Sequence, residues 1–216
     1  MTIAEENYLK TIFHLSENHP EGVSTNAIAQ LINSKASSVS DMLKKLSDKE
    51  WIEYKKYQGV KLTASGLLAA KMVVRRHRLW EVFLVEKLGF AWDEVHEMAE
   101  ELEHIQSNVL IDKLEHYLGF PQNDPHGDPI PNAVGQLPNS EKVKLTEIPL
   151  NTEVELVGVD DSSSAFLQYL DKNKIGIGAF ISIIDKEEFD QSMEVVVNGI
   201  SMRLSEKMAT NLFVKK

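Results

Sequence analysis

Apolar positions recur with helical spacing over most of the first 118 residues and with alternating spacing over the last 75 or so. Residues 4–17 read as a helix, with Tyr8, Leu9, Ile12, Phe13 and Leu15 supplying its apolar surface. His19-Pro20-Glu21-Gly22 stops it, and Ser24 caps a short helix through Ile32. After a turn at 33–36 a third helix begins near Ser37. Val39, Met42, Leu43 and Leu46 fall at i, i+3, i+4 and i+7, the spacing of one buried stripe. Residues 51–63 change period. Ile52/Tyr54 oppose Glu53/Lys55, Tyr57-Gln58-Gly59 turns, and Val60/Leu62 resume the alternation, which predicts a hairpin. A long helix follows to about Leu88. Gly89-Phe90-Ala91-Trp92 interrupts it, and one further helix is expected from Asp93 to Tyr117 or Leu118. Residues 120–140, rich in Pro, Asn, Asp and Gly, read as a loop or linker. Beyond Val143 short alternations at 154–159, 181–184 and 195–197 predict a small β-barrel or sandwich.

The expected fold is therefore mainly α with a small β domain. Residues 1–66 form a winged helix-turn-helix, 67–140 a helical domain with linker, and 141–216 the β domain. Composition changes this picture little. The 216 residues include no cysteine, which excludes disulfides and thiolate-bound metals. No apolar run approaches a membrane span, and Met1–Glu6 lacks the basic and apolar regions of a signal peptide, so a cytoplasmic location is expected. The net charge of −10 hides an asymmetry. Residues 1–78 carry 12 Lys/Arg against 8 Asp/Glu, and residues 79–216 carry 11 against 25. A mildly basic front on an acidic remainder suits a DNA-binding domain joined to something else.

Helix, helix, turn, amphipathic helix and hairpin is the order of a winged helix-turn-helix. The third helix starts with small hydroxyl residues, which allow close approach to a duplex. Ser37, Ser38, Ser40 and Asp41 can reach base edges or phosphates, and Lys44 and Lys45 can meet the backbone. The hairpin carries Lys55, Lys56, Gln58 and Lys61, a basic wing. Taken singly, such residues are commonly caps and solvated charges. It is the ordered set that points to double-stranded DNA.

A second constellation follows. With His96 at zero and about 100° per residue, Glu100 falls near about 40°, Glu103 near about −20° and His104 near about 80°. One stripe thus carries four metal-capable groups, with Met98, Leu102, Ile105 and Val109 roughly opposite as a packing face. His77 and Glu81, at i and i+4 on the preceding helix, face one way as well. Imidazole and carboxylate without thiolate suit Mn²⁺, Fe²⁺, Co²⁺ or Zn²⁺, and the large carboxylate share favours Mn²⁺ or Fe²⁺. A solvated acidic face with a helix-stabilising Glu100/His104 pair is the plainer alternative. The remaining histidines, His14, His19, His116 and His126, read as surface or loop residues. His96-Glu97-Met98-Ala99-Glu100 resembles the start of a zincin helix but has Glu100 where a second His is needed. With no nucleophile elbow or phosphate-binding Gly loop, the chain is not expected to be an enzyme. A metallohydrolase and a winged-helix regulator of an organic ligand are the alternatives.

Several segments together resemble the iron/manganese-dependent transcriptional repressors of the DtxR/MntR type. They are Glu6–Ile12, Ser37–Ser40, Lys56–Gly66, Arg76–Glu81, His96–His104 and Asp124–Pro131. The resemblance implies a homodimeric repressor of metal homeostasis that binds operator DNA when loaded with one or two divalent ions per subunit. It also implies an SH3-like, FeoA-like C-terminal domain. Its implied ligands are His77, Glu81, His96, Glu100, Glu103 and His104, with Asn7 at the position that supplies one more from the first helix. Glu100 stands where the iron-responsive branch has Cys, which favours Mn²⁺ over Fe²⁺. Two departures stand out. Asn7 is a neutral amide, and Lys10 occupies a position where the manganese branch has a ligating Glu.

Overall fold

The computed structural model describes residues 1–55, 59–139 and 141–215. Inter-residue contacts divide it into two compact units. One comprises Met1–His77, Glu100–Lys113 and Pro131–Leu137; the other comprises Arg78–Ala99, Leu114–Ile130 and Pro138–Lys216.

The first unit opens with α1 (Ile3–Asn18), α2 (Thr25–Leu31) and α3 (Ala36–Asp48), followed by the hairpin β1 (Ile52–Lys55) and β2 (Gly59–Leu62). The caps explain the starts. Thr2 and Glu5 form a reciprocal capping box on α1, and the Ser24 hydroxyl accepts the Ala27 N–H of α2 at 3.1 Å. On α3 the expected stripe goes inward: Val39, Leu43 and Leu46 are fully buried and Met42 is packed beside them. They meet Leu9 and Ile12 of α1, Ile28 of α2 and Ile52 and Val60 of the hairpin. The hairpin pairs Ile52 with Leu62 and Lys55 with Gly59, and Val23 bridges to Val60. This is the winged helix-turn-helix expected from the periodicity. The start of the long helix α4 (Ala64–Leu88) belongs to this unit too.

The expected single helix from Asp93 to Leu118 is two: α5 (Val95–Leu102) and α6 (Asn108–Tyr117). Glu103 and His104 lie in a turn. The Glu103 carbonyl, left without a helical partner, accepts Nε–H of the buried Arg76 at 2.5 Å. The Ser107 hydroxyl then accepts the Leu110 N–H as α6 begins. Val109, expected on a packing face, is exposed in the chain described here.

The second unit is built on a six-stranded antiparallel sheet with one small apolar core. Its strands are β3 (Val143–Lys144), β4 (Glu153–Val159), β5 (Phe180–Lys186), β6 (Met193–Val197), β7 (Ile200–Leu204) and β8 (Leu212–Lys215). They lie in the order β3-β8-β4-β5-β6-β7, so among the described residues the sheet does not close into a barrel. Alternate residues Val154/Leu156, Ile181/Ile183 and Met193/Val195/Val197 point inward onto α7 (Ser164–Lys172), while α8 (Glu206–Ala209) leads into β8. The β6–β7 hairpin turns on Asn198 and Gly199, both at positive φ (49° and 82°), the pairing a two-residue primed turn demands. The 120–130 segment is not a loose linker. It closes on itself through Asp124 N–H to Asp128 O and Ile130 N–H to Gln122 O, and the Val159 N–H of β4 donates to His126 O.

Candidate metal centre and nucleic-acid interface

In the first unit, three elements meet around Glu103: α1 with Glu6 and Lys10, α4 with Arg76 and His77, and the turn after α5. Glu103 is fully buried. Its Oε2 lies 2.7 Å from His77 Nδ1 and accepts Lys10 Nζ at 2.6 Å. Lys10 also donates to Glu100 Oε1 at 2.5 Å. Beside this, His104 Nδ1 lies 2.6 Å from Glu6 Oε2, and Arg76 donates to Glu6 Oε1 at 2.9 Å. Burial pushes the Glu103 carboxyl up, but the His77 hydrogen bond and the Lys10 charge outweigh it and hold it below the usual carboxylate range.

Two oxygens of this set carry the test of whether an ion belongs here. Asn7 Oδ1 and Glu103 Oε1 are buried and have no hydrogen-bond partner among the described residues. A buried acceptor without a donor is costly in a folded protein. Amide and carboxylate oxygens with nearby imidazoles are what a divalent Mn²⁺ or Fe²⁺ takes, so the residues present fit such an ion. The structure thus gathers four of the sequence-predicted ligands, His77, Glu100, Glu103 and His104, and places Asn7 on α1 next to Glu6 with its Oδ1 buried. It adds Glu6, Lys10 and Arg76 as the groups that hold them.

The second unit holds a different cluster. Ligand atoms of Glu81, Asp124 and His126 all lie within 4.8 Å of one another. His96, half exposed, has Nδ1 3.5 Å from Glu81 Oε1. His126 is 3% exposed, so it is a buried residue and not the surface histidine the sequence suggested. Its Nε2 meets the Trp92 carbonyl at 2.8 Å and its ring stacks on the Trp92 indole, which turns Nδ1 toward Glu81 at 3.7 Å. The loop that carries it is fixed by Asp124 Oδ1, which accepts the N–H groups of His126 and Asp128. Gly127, at φ +85°, allows the close approach: a Cβ there would come within 2.0 Å of the Val157 carbonyl. Burial, then the charges of Glu81 and Asp128, push the Asp124 carboxyl up to about 7. Burial lowers His126, but the adjoining Glu81 and Asp124 carboxylates outweigh it and raise the imidazole to about 9. Asp124 and His126 were missed as candidates. Their signal was an Asp-x-His pair in a loop stiffened by Pro125 and Pro129.

On α3, Ser37, Ser38, Asp41, Lys44 and Lys45 are exposed and Ser40 partly so. Lys44 pairs with Asp41 at 3.2 Å, and Ser40 Oγ donates back to the Ala36 carbonyl, so these three already have local partners. The N-cap residue of α3, Lys35, makes no side-chain cap hydrogen bond among the described residues. Lys56 and Gln58 of the wing lie outside the described residues.

Comparison with known proteins gives a consistent result. Residues 1–60 match the family profile "Iron dependent repressor, N-terminal DNA binding domain". Residues 63–132 match "Iron dependent repressor, metal binding and dimerisation domain", and residues 143–216 match the FeoA domain. The chain is 33% identical over 161 residues to the iron-dependent repressor IdeR of Mycobacterium tuberculosis, covering 70% of this chain and 69% of that protein. It is 25% identical over 226 residues to the diphtheria toxin repressor of Corynebacterium diphtheriae. Among solved structures, a manganese-dependent transcriptional repressor in complex with manganese superposes with a TM-score of 0.85 at 34% identity, over 97% of this chain and 98% of that one. ScaR with bound Zn²⁺ superposes with a TM-score of 0.81 at 32% identity, over 98% and 99%.

Proposed function

The chain belongs to the iron-dependent repressor family of metal-dependent, DNA-binding transcriptional regulators, and from that premise we propose that it is a homodimeric repressor of metal-ion homeostasis switched on by Mn²⁺, with Fe²⁺ as the alternative ion. Its three parts run over 1–66, 67–140 and 141–216. The observation that carries the reading is the pair of buried oxygens with no hydrogen-bond partner among the described residues, Asn7 Oδ1 on α1 and Glu103 Oε1 on the turn after α5, the latter with His104 Nε2 no nearer than 3.8 Å.

In this proposal Asn7, Glu100, Glu103 and His104, with His77, hold one ion. Glu81, Asp124 and His126, joined by His96, hold a second. A divalent ion held there would supply the positive charge that these buried oxygens lack. The chain's own residues do the rest. Glu6 positions His104 through the 2.6 Å contact, and Arg76 orients Glu6 while satisfying the Glu103 carbonyl. An ion held by both Asn7 and Glu103 would tie α1, and with it the winged-helix core that carries α3, to the turn after α5. Two α3 helices of a dimer then reach successive major grooves, about 34 Å apart on one face of the duplex. Ser37, Ser38, Ser40, Asp41, Lys44 and Lys45 contact it, aided by Lys56 and Gln58. Because metal and DNA binding are coupled, DNA must tighten metal binding by the factor by which metal tightens DNA binding.

The test is operator selection from a genomic-fragment pool with Mn²⁺, with Fe²⁺ under anaerobic conditions, and with chelator. Specific binding is expected only with metal, and more strongly with Mn²⁺. Specific binding that chelator leaves unchanged would refute the switch.

A further inference from the structure

The ammonium of Lys10 is placed where a metal ligand set converges. It donates to Glu100 Oε1 at 2.5 Å and to Glu103 Oε2 at 2.6 Å, and its side chain is only 12% exposed. An ammonium has three donors and no acceptor, so it can bridge two carboxylates but can never join them as a ligand. From this geometry we infer that Lys10 is an internal cation that stands in for the metal in the unloaded protein and must be displaced for the ion to bind. This rests on the metal reading proposed above and adds to it a residue that sets the metal threshold.

Three features support the exchange. First, Lys10 lies on α1 and its partners lie on α5 and the following turn, so its bridge connects the same elements that an ion shared by Asn7 and Glu103 would connect. Second, the bridge is incomplete. Glu103 is fully buried, yet among the described residues Oε1 has no hydrogen-bond partner and lies 3.8 Å from His104 Nε2, so the Lys10 ammonium leaves a buried carboxylate half satisfied. A divalent ion brings two charges and can use the oxygen that Lys10 does not reach. Third, the ammonium has an exit. Glu100, its other partner, is 38% exposed, and a four-carbon stem can carry the charged end to water while its methylenes stay packed. A fixed guanidinium such as the buried Arg76 has no comparable route.

The consequence is a raised threshold. Every ion that enters must break two charge-assisted hydrogen bonds before making its own. Asn7, a neutral amide, adds less attraction than a carboxylate in the same place. Both residues lower the affinity, one by competing and the other by attracting weakly, so the site fills only when free metal is abundant.

The experiment is a Mn²⁺ titration of the full chain, read by the electron paramagnetic resonance of free Mn²⁺. It is done in a Glu81→Gln background so that only this ligand set is reported. Lys10→Met should bind Mn²⁺ at least about tenfold more tightly, ~1.4 kcal/mol. Lys10→Arg keeps the cation and grips carboxylates bidentately, so it should bind no more tightly than the parent; it also serves as the test should Lys10→Met fold poorly. Hydrogen exchange of α1 amides supplies a second reading. Without metal it should be faster in Lys10→Met than in the parent, and with saturating Mn²⁺ the two should agree. Unchanged or weaker Mn²⁺ binding by Lys10→Met, with the parent binding normally, would overturn the role of Lys10 alone. Tighter binding by Lys10→Arg would do the same. No Mn²⁺ uptake by the parent would overturn the metal reading and this inference with it.

Discussion

The two acidic clusters solve the same electrostatic problem in different ways. Around Glu103, buried carboxylates are compensated by cationic side chains: Arg76 on Glu6 and Lys10 on Glu100 and Glu103. Around Glu81 and Asp124, compensation is partial. Arg78 approaches Asp124 only to 3.4 Å, and the remaining imbalance is taken up by protons, with Asp124 raised to about 7 and His126 to about 9. A site neutralised by a side chain carries its own competitor for metal. A site neutralised by protons exchanges them for metal, as ligand deprotonation requires.

The largest expected effect separates the two directly. Arg76→Met leaves Glu6, 1% exposed, without its guanidinium and with only the His104 imidazole and the Gln106 amide beside it, and should cost about 3–5 kcal/mol in chemical denaturation. Arg78→Met should cost less than half as much, because Asp124 can take a proton near neutral pH. Equal costs would remove the distinction. Next, His126→Ala should reduce bound Mn²⁺ from two ions to one per subunit and weaken operator binding at saturating Mn²⁺ by about tenfold. Retention of both ions in equilibrium dialysis would show that the second cluster holds none.

The smallest effect lies outside both clusters. Lys49, 2.5 Å from Glu5, and then the hydrogen bond from the Thr2 N–H hold the Glu5 carboxyl below its ordinary value. A lowered carboxyl contributes stability that is present above its unfolded pKa and lost as pH falls through the folded one. Glu5→Gln should therefore cost within about 1 kcal/mol at neutral pH, vanishing at acid pH in parallel denaturation curves.

Much of this was legible in the sequence. The stripe Val39/Met42/Leu43/Leu46 and the period change at Ile52 defined the DNA-binding unit because local spacing and burial agree there. The break at Glu103–Ser107 was not legible. Those residues keep helical spacing, and the helix ends where a tertiary hydrogen bond from Arg76 takes the Glu103 carbonyl. The projection that put Glu103 and His104 on one helical stripe was therefore wrong in geometry, although both do come to α1. His126 escaped for a related reason. A histidine in a Pro-rich loop has no periodicity to betray burial, and its place depends on Gly127 passing against β4. Lys10 was set aside as a ligand because of its charge, but nothing in a sequence says that the same charge will settle between the Glu100 and Glu103 carboxylates.

The central claim, that metal held at Glu103 switches operator binding, is tested most directly by fluorescence anisotropy of operator DNA across a Mn²⁺ titration, comparing the natural chain with Glu103→Gln. The account predicts Mn²⁺-dependent binding by the natural chain and at least about a 100-fold loss in the variant at the same Mn²⁺ concentration. Equal Mn²⁺-dependent binding by both would contradict it.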